Sequence, residues 1–195
     1  MDKSAALTKA NLGITPGLPL DLGSGSPEEL RRGLQMLLDI EAIKQLKHAY
    51  FRCMDTADFD ELASLYHENI KVHYVGGFYE WKLEGRDELI ASQTQSFHQR
   101  AVGHHNGHQP EIQILSDTEA TGLWYLSDNM WILDANFFTT GTALYWDRYE
   151  KVDGRWLIRE TSYRRIYEIS QPLEEAPKFS AHYLGEHGPP APTAK

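Results

Sequence analysis

Apolar side chains recur three and four residues apart at Leu30, Leu34, Leu37, Ile43, Leu46, Tyr50 and Cys53. That period predicts one long amphipathic helix or two in series. Ser26-Pro27-Glu28-Glu29 stands in front of it as a capping box with proline at the first helical position. A short second helix follows, with Phe59, Leu62 and Leu65 on one side. The period then changes to two. Asn69 to Val75 alternates as a strand does, Gly76-Gly77 turns the chain, and Tyr79–Leu83 returns. Gly85-Arg86-Asp87-Glu88 opens a third helix running to about Arg100, and four β-rich segments lie near 108–115, 119–133, 137–151 and 155–168. Asp153-Gly154 between the last two is a strong hairpin signal. Helices first and strands afterwards give an α+β fold, with helices packed on one face of a curved antiparallel sheet.

Outside this core the pattern fades. Residues 1–25 carry Gly13, Pro16, Gly17, Pro19, Gly23 and Gly25 without periodicity, and 171–195 carry Pro172, Pro177, Pro189, Pro190 and Pro192. Both read as loosely docked tails around a domain at 26–170. The chain has 195 residues, 28 acidic against 19 basic side chains, and a formal charge of −9. No basic block exists to grip phosphate backbones, so nucleic acid is not an expected partner. No Gly-rich phosphate loop lies at a strand-to-helix junction, and no apolar run is long enough to span a bilayer. The first residues lead into no apolar stretch of the secretory kind, and the single cysteine, Cys53, has no partner for an internal disulfide. A cytoplasmic globular protein is expected.

Polar residues on apolar faces locate the candidate chemistry. In 120–132, one face reads Ala120, Gly122, Trp124, Leu126, Asp128, Met130, Ile132. A carboxylate in that row needs partners or a wet pocket, so Asp128 is either structural glue or a site residue. Counting by two, His108 heads a row with Pro110, Ile112 and Ile114, which makes it a satisfied core histidine or a catalyst. His104 and His105 precede it, but Gly103, Gly107 and Pro110 oppose a helix that would align His104 with His108 on a metal. Tyr50 lies on the helix stripe and needs a partner for its hydroxyl. Asp55 follows where the helix ends, at the negative end of its dipole, where an imidazolium would offset it; as a loop residue or a cap it would need none. Arg165 shares strict alternation with Leu157, Thr161, Tyr163 and Tyr167, and one bulge would turn it over.

The same residues carry a resemblance. Asp39-Ile40-Glu41-Ala42-Ile43-Lys44 through Tyr50-Phe51-Arg52-Cys53-Met54-Asp55 resembles the opening helix of SnoaL-like proteins in the nuclear transport factor 2-like superfamily. Gly107-His108-x-Pro110-Glu111-Ile112, Ala120-Thr121-Gly122-x-Trp124-Tyr125-Leu126-x-Asp128, Asp147-x-Tyr149-Glu150-Lys151-x-Asp153-Gly154-x-Trp156 and Glu160-Thr161-x-Tyr163-x-Arg165-Ile166-Tyr167 continue it. The set is most similar to the bile-acid 7α-dehydratase branch, related to scytalone dehydratase and hexachlorocyclohexane dehydrochlorinase. The resemblance covers roughly residues 38–170 and implies a cone, in which the sheet wraps the helices and leaves a deep apolar pocket. It implies that Tyr50, Asp55, His108, Asp128 and Arg165 line that pocket. The two extra histidines at 104 and 105, the loop Leu133–Thr139 and the tails depart from the branch.

The resemblance further implies a dehydratase, a lyase that removes water from a hydroxylated apolar ketone such as a steroid or polyketide. His108 held by Asp55 would be the base, and Tyr50 would donate to an enolate or a departing hydroxide. Asp128 would orient Tyr50 or protonate the leaving group, and Arg165 would neutralise a substrate anion or anchor Asp128. His104 and His105 are expected to matter less. Such a reaction uses no metal and no organic cofactor. The alternatives are an isomerase or polyketide cyclase with the same dyad, or a pocket protein like the small subunit of ring-hydroxylating dioxygenases. Sheet edges and the aromatics Trp131 and Tyr145, expected to be exposed, suggest a homo-oligomer, a trimer first and a dimer second.

Overall fold

The structure is a computed structural model that describes residues 5–15, 21 and 23–192. The capping box forms: the Ser26 hydroxyl accepts from the Glu29 N–H at 3.3 Å, and the Glu29 carboxylate accepts from the Ser26 N–H at 3.0 Å. It starts one unbroken helix, α1 (Pro27–Thr56), rather than two. The first turns leave Leu30, Leu34, Leu37 and Leu38 exposed, while the second half buries Ile43, Leu46, Tyr50, Phe51, Cys53 and Met54. α1 stops at Ala57, whose backbone is left-handed (φ 52°). α2 (Phe59–Leu65) begins at once, capped by Asp58 accepting from the Glu61 N–H at 3.1 Å.

Six strands follow: β1 (Tyr66–Val75), β2 (Glu80–Glu84), β3 (Ala101–Ile114), β4 (Glu119–Ile132), β5 (Phe137–Val152) and β6 (Arg155–Pro172). α3 (Arg86–Thr94) separates β2 from β3, and α4 (Tyr183–His187) comes last. The sheet order is β2-β1-β6-β5-β4-β3. This is the expected α+β fold, with one correction. β1 pairs with β6 in parallel, so the sheet is mixed. Parallel partners need a long crossover, and the chain between Val75 and Arg155 provides it.

A second difference concerns β3, which starts at Ala101 rather than near 108, while α3 ends at Thr94 rather than near Arg100. Gly103 and Gly107 lower the strand propensity of 101–107, and the ladder to β4 overrides it. On β4 the alternation predicted from sequence is present: Ala120, Gly122, Trp124, Leu126 and Asp128 are buried, while Tyr125 and Ser127 face out. The concave face of the sheet meets the second half of α1, and Ile43, Leu62, Ile70, Trp124, Leu126 and Ile158 form the centre of the core. Tyr145, expected to be exposed, lies opposite Trp124 and is buried. Trp131 is covered by Phe138 and Phe179, with ring centres at 4.7 and 5.7 Å.

Parts of both predicted tails pack on the domain. Leu12 is buried on the outer sheet face with Leu123, Leu144 and Trp146. Leu184 of α4 is buried, and the Gln99 N–H donates to the Pro189 carbonyl at 3.0 Å. Residues 1–4, 16–20, 22 and 193–195 of those tails lie outside the described residues.

Between α1 and the sheet sits an ion pair with no exposed surface, Lys47 Nζ at 2.8 Å from Asp147 Oδ2. The Tyr149 hydroxyl donates to Asp147 at 2.8 Å, and the Trp124 indole N–H donates to Tyr149 at 2.9 Å. The ammonium also lies over the rings of Tyr50 and Tyr145, 4.3 and 4.1 Å from their centres. Burial pulls the Lys47 pKa below its usual value, and Asp147 opposes that pull.

Candidate active site

A cavity of about 630 Å³ opens at one end of the cone. Its apolar wall includes Phe97, Leu126, Met130, Phe137 and Tyr163, and its polar wall includes His105, Asp128, Arg165 and Glu168. This volume is in the usual range for a small-molecule site. A smaller recess of about 70 Å³ continues it inward past His105 and Tyr145 to Tyr50.

Asp55 comes to this site from the last turn of α1, where the helix dipole makes a carboxylate costly without a partner. Its partner is His105, not His108. His105 Nδ1 lies 2.6 Å from Asp55 Oδ1, and the His105 backbone N–H donates to Asp55 Oδ2 at 2.9 Å. A carboxylate only accepts, so Nδ1 carries the proton and Nε2 is left as the basic nitrogen. His105 lies directly opposite Asp128 in the β3–β4 register, on the inner face.

His108 was expected on that face, and the structure corrects this. It pairs with Tyr125 on the outer side and stacks on that ring, with centres 5.8 Å apart and planes 13° apart. The cause is a bulge between His108 and Glu111, where Gln109 takes φ 52°. One extra residue reverses the parity, so Ile112 and Ile114 face inward while His108 does not. Gly107 explains how close α1 can come to β3. A Cβ there would sit 1.8 Å from the ring of Phe51, so only glycine lets the helix approach.

Asp128 and Arg165 are brought together. Two parallel hydrogen bonds of 2.5 and 2.7 Å run from Arg165 Nη1 and Nη2 to the Asp128 carboxylate. Burial works against the guanidinium charge, and the hydrogen bonds it donates to Asp128, with the charge interactions of Tyr79, Asp128 and Tyr163, together more than offset it. Bulges after Ile158 and after Arg165 separate the inner row Thr161, Tyr163, Arg165 from Leu157 and Tyr167, which the simple count had placed beside them. Tyr50 is buried at the inner recess, with its hydroxyl 3.3 Å from that of Tyr74 and 3.4 Å from that of Tyr145. Burial raises its pKa well above the usual range, so it remains a hydroxyl donor.

Sequence reasoning missed His105, Glu168 and the Lys47–Asp147 pair. Signals existed for two of these. Gly103-x-His105-x-Gly107 puts an imidazole between two residues with no side chain, as close helix packing requires. Lys47 falls four after Ile43 and three before Tyr50, on the buried stripe. Among the described residues, Cys53, Asp58 and Glu61 could converge on a metal ion. Burial pushes the Cys53 thiol up to about 12, and Arg52 holds Glu61 at 2.6 Å, so this group is poorly suited to a cation.

A curved six-stranded sheet packed on helices, with an apolar pocket walled by His105, Asp128 and Arg165, defines the class of fold. The chain matches the SnoaL-like domain family over residues 35–162, and it belongs to that family. A scytalone dehydratase-like protein from Novosphingobium aromaticivorans superposes with a TM-score of 0.63 at 21% identity, covering 76% of this chain and 97% of that one. The type 3 hexachlorocyclohexane dehydrochlorinase LinA from Novosphingobium barchaimii gives 0.60 at 19%, covering 71% and 93%. A type 2 LinA gives 0.63 at 18%, covering 74% and 97%. At these identities the likeness concerns the fold.

Proposed function

We propose that the protein is a lyase of the dehydratase type. It would remove water from a hydroxylated apolar ketone, a steroid or polyketide, as the resemblance to the bile-acid 7α-dehydratase branch suggests. The observation that carries this reading is the two-point hold of Asp55 on His105 at the wall of an apolar cavity. Elimination needs a base for a carbon-bound proton, and His105 Nε2 is that base. Asp55 fixes the tautomer and stabilises the imidazolium that forms. A hydroxyl donor at the inner recess, Tyr50, meets charge as it develops on an enolate or a departing hydroxide. Asp128, opposite His105 and neutralised by Arg165, orients the leaving group. The C–H electron pair becomes the new C=C bond as the substrate C–O bond breaks, and the departing hydroxide leaves as water by taking the proton that His105 abstracted.

Incubation with hydroxylated steroid and polyketide ketones, followed by mass spectrometry, tests the reading. Loss of one water is expected. Isomerisation at constant mass would instead favour the isomerase reading, and no conversion of any ketone would favour a binding protein.

A further inference from the structure

Arg165 is the one cation of fixed charge among the described residues that line the cavity, and its charge already faces two carboxylates. Asp128 takes both terminal nitrogens. Glu168 Oε2 lies 2.9 Å from Nε as an ion pair, without the alignment of a hydrogen bond. The side chains of Asp128 and Glu168 are each 7% exposed and that of Arg165 is 11% exposed, so solvent screens this group weakly. Arg165 and Glu168 are three apart, and in a regular strand they would point to opposite faces. The bulge at Ile166 turns both inward, because Arg165 faces Ala143 while Glu168 faces Gly141 across the ladder. Glu168 is also tied to the β1–β2 turn, since its Oε1 accepts from the Gly77 N–H at 3.3 Å.

The charges facing the cavity therefore do not balance. One guanidinium meets two carboxylates, and a third, Asp55, stands behind His105. The other titratable groups on the wall are His98 and the tyrosines Tyr79, Tyr145 and Tyr163, none of which carries a fixed positive charge. An anionic ligand would meet a cation already outnumbered by carboxylates and would add to the excess negative charge within an apolar wall, which is unfavourable. A neutral ligand with hydroxyl groups would find carboxylate acceptors ready.

We propose that the cavity selects uncharged hydroxylated ring compounds over carboxylates, and that Glu168 is the residue that sets this selection. It does so by placing a second carboxylate charge beside Arg165, at ion-pair distance from Nε. The inference rests on the reading of the cavity as the substrate site and narrows its substrate class: Arg165 holds the wall together and does not receive a substrate anion.

The test is calorimetric binding at neutral pH with three matched pairs of probes: 2-naphthol and 2-naphthoate, 6-hydroxytetralone and tetralone-6-carboxylate, and a 17β-hydroxy-3-ketosteroid and its 17β-carboxylate. At least one neutral probe should bind the wild-type protein, and about tenfold or more tighter than its acid. Glu168→Gln keeps an acceptor for Gly77 and removes one of the two carboxylate charges that face Arg165. It should strengthen the acid about tenfold while changing the neutral partner less than about threefold. Glu168→Asp should keep the wild-type preference, and so should His105→Ala, which removes the base but not the charge pattern. The proposal is overturned if no neutral probe binds, if the acid binds within tenfold of its neutral partner, or if Glu168→Gln leaves their ratio unchanged. Binding needs no turnover, so a preserved preference without water loss would sink the lyase reading alone. Water loss with no preference would sink only the selection.

Discussion

At the scale of single residues, Lys47 with Asp147 is a costly arrangement, two charges without exposed surface. Removing one partner strands the other. Lys47→Met should cost about 3–5 kcal/mol in denaturant unfolding, and adding Asp147→Leu should return much of it. A single variant as stable as wild type would show that the pair carries little of the fold. Cys53 is the opposite case. Its thiol is fully buried and held protonated, so Cys53→Ser should cost about 1–2 kcal/mol through a buried hydroxyl and leave turnover intact. Loss of activity with the fold preserved would reveal thiol chemistry. Asp55 and Asp128 could be picked out in the sequence because a carboxylate at a helix end or in an apolar row is anomalous on its own terms. His105 could not be ranked above His108, because parity along β3 depends on a bulge that no alternation count contains. Pro110 was the available hint, as prolines within sheets gather at bulges and edges.

Elements were more legible than sites. The capping box, the long helix and the Asp153-Gly154 hairpin (φ 50° and 79°) follow from local chemistry that tertiary packing had no reason to overrule. Residues 101–107 escaped because their strand exists only as the partner of β4. At the start of α1, Ser24 and Ser26 hold the Glu29 carboxyl down at about 2, below its usual value near 4.5. A depressed carboxyl stabilises the folded form above the unfolded pKa. That contribution should therefore be lost as pH falls from about 4.5 to about 2. Hydrogen exchange over the first turns of α1 should show fraying across this window in wild type and at all pH values in Ser26→Ala, which should cost about 1 kcal/mol. A flat response would mean that the cap is solvated. Gly107→Ala should force Phe51 away and cost about 1–3 kcal/mol by overpacking. A melting temperature equal to wild type would show that Phe51 can yield.

For the whole molecule, the mixed sheet order with β1 parallel to β6 lay beyond periodicity, since alternation specifies faces but not neighbours. The strands β2 and β3 are left as edges. Exposed Leu30, Leu34, Leu37 and Leu38 on α1, and Ile166, Tyr167 and Ile169 on β6, present apolar area to be covered. We expect a homo-oligomer, a trimer first and a dimer second, and Leu34→Glu should weaken it. A monomer by light scattering at micromolar concentration would contradict this.

The central claim is that His105, not His108, acts with Asp55. Turnover of purified His105→Ala, Asp55→Asn, the double variant and His108→Ala, each shown folded by circular dichroism, tests it most directly. Losses of about a hundredfold or more are expected for either dyad variant, with little further loss in the double and near wild-type turnover for His108→Ala. A folded His105→Ala with wild-type turnover would contradict it.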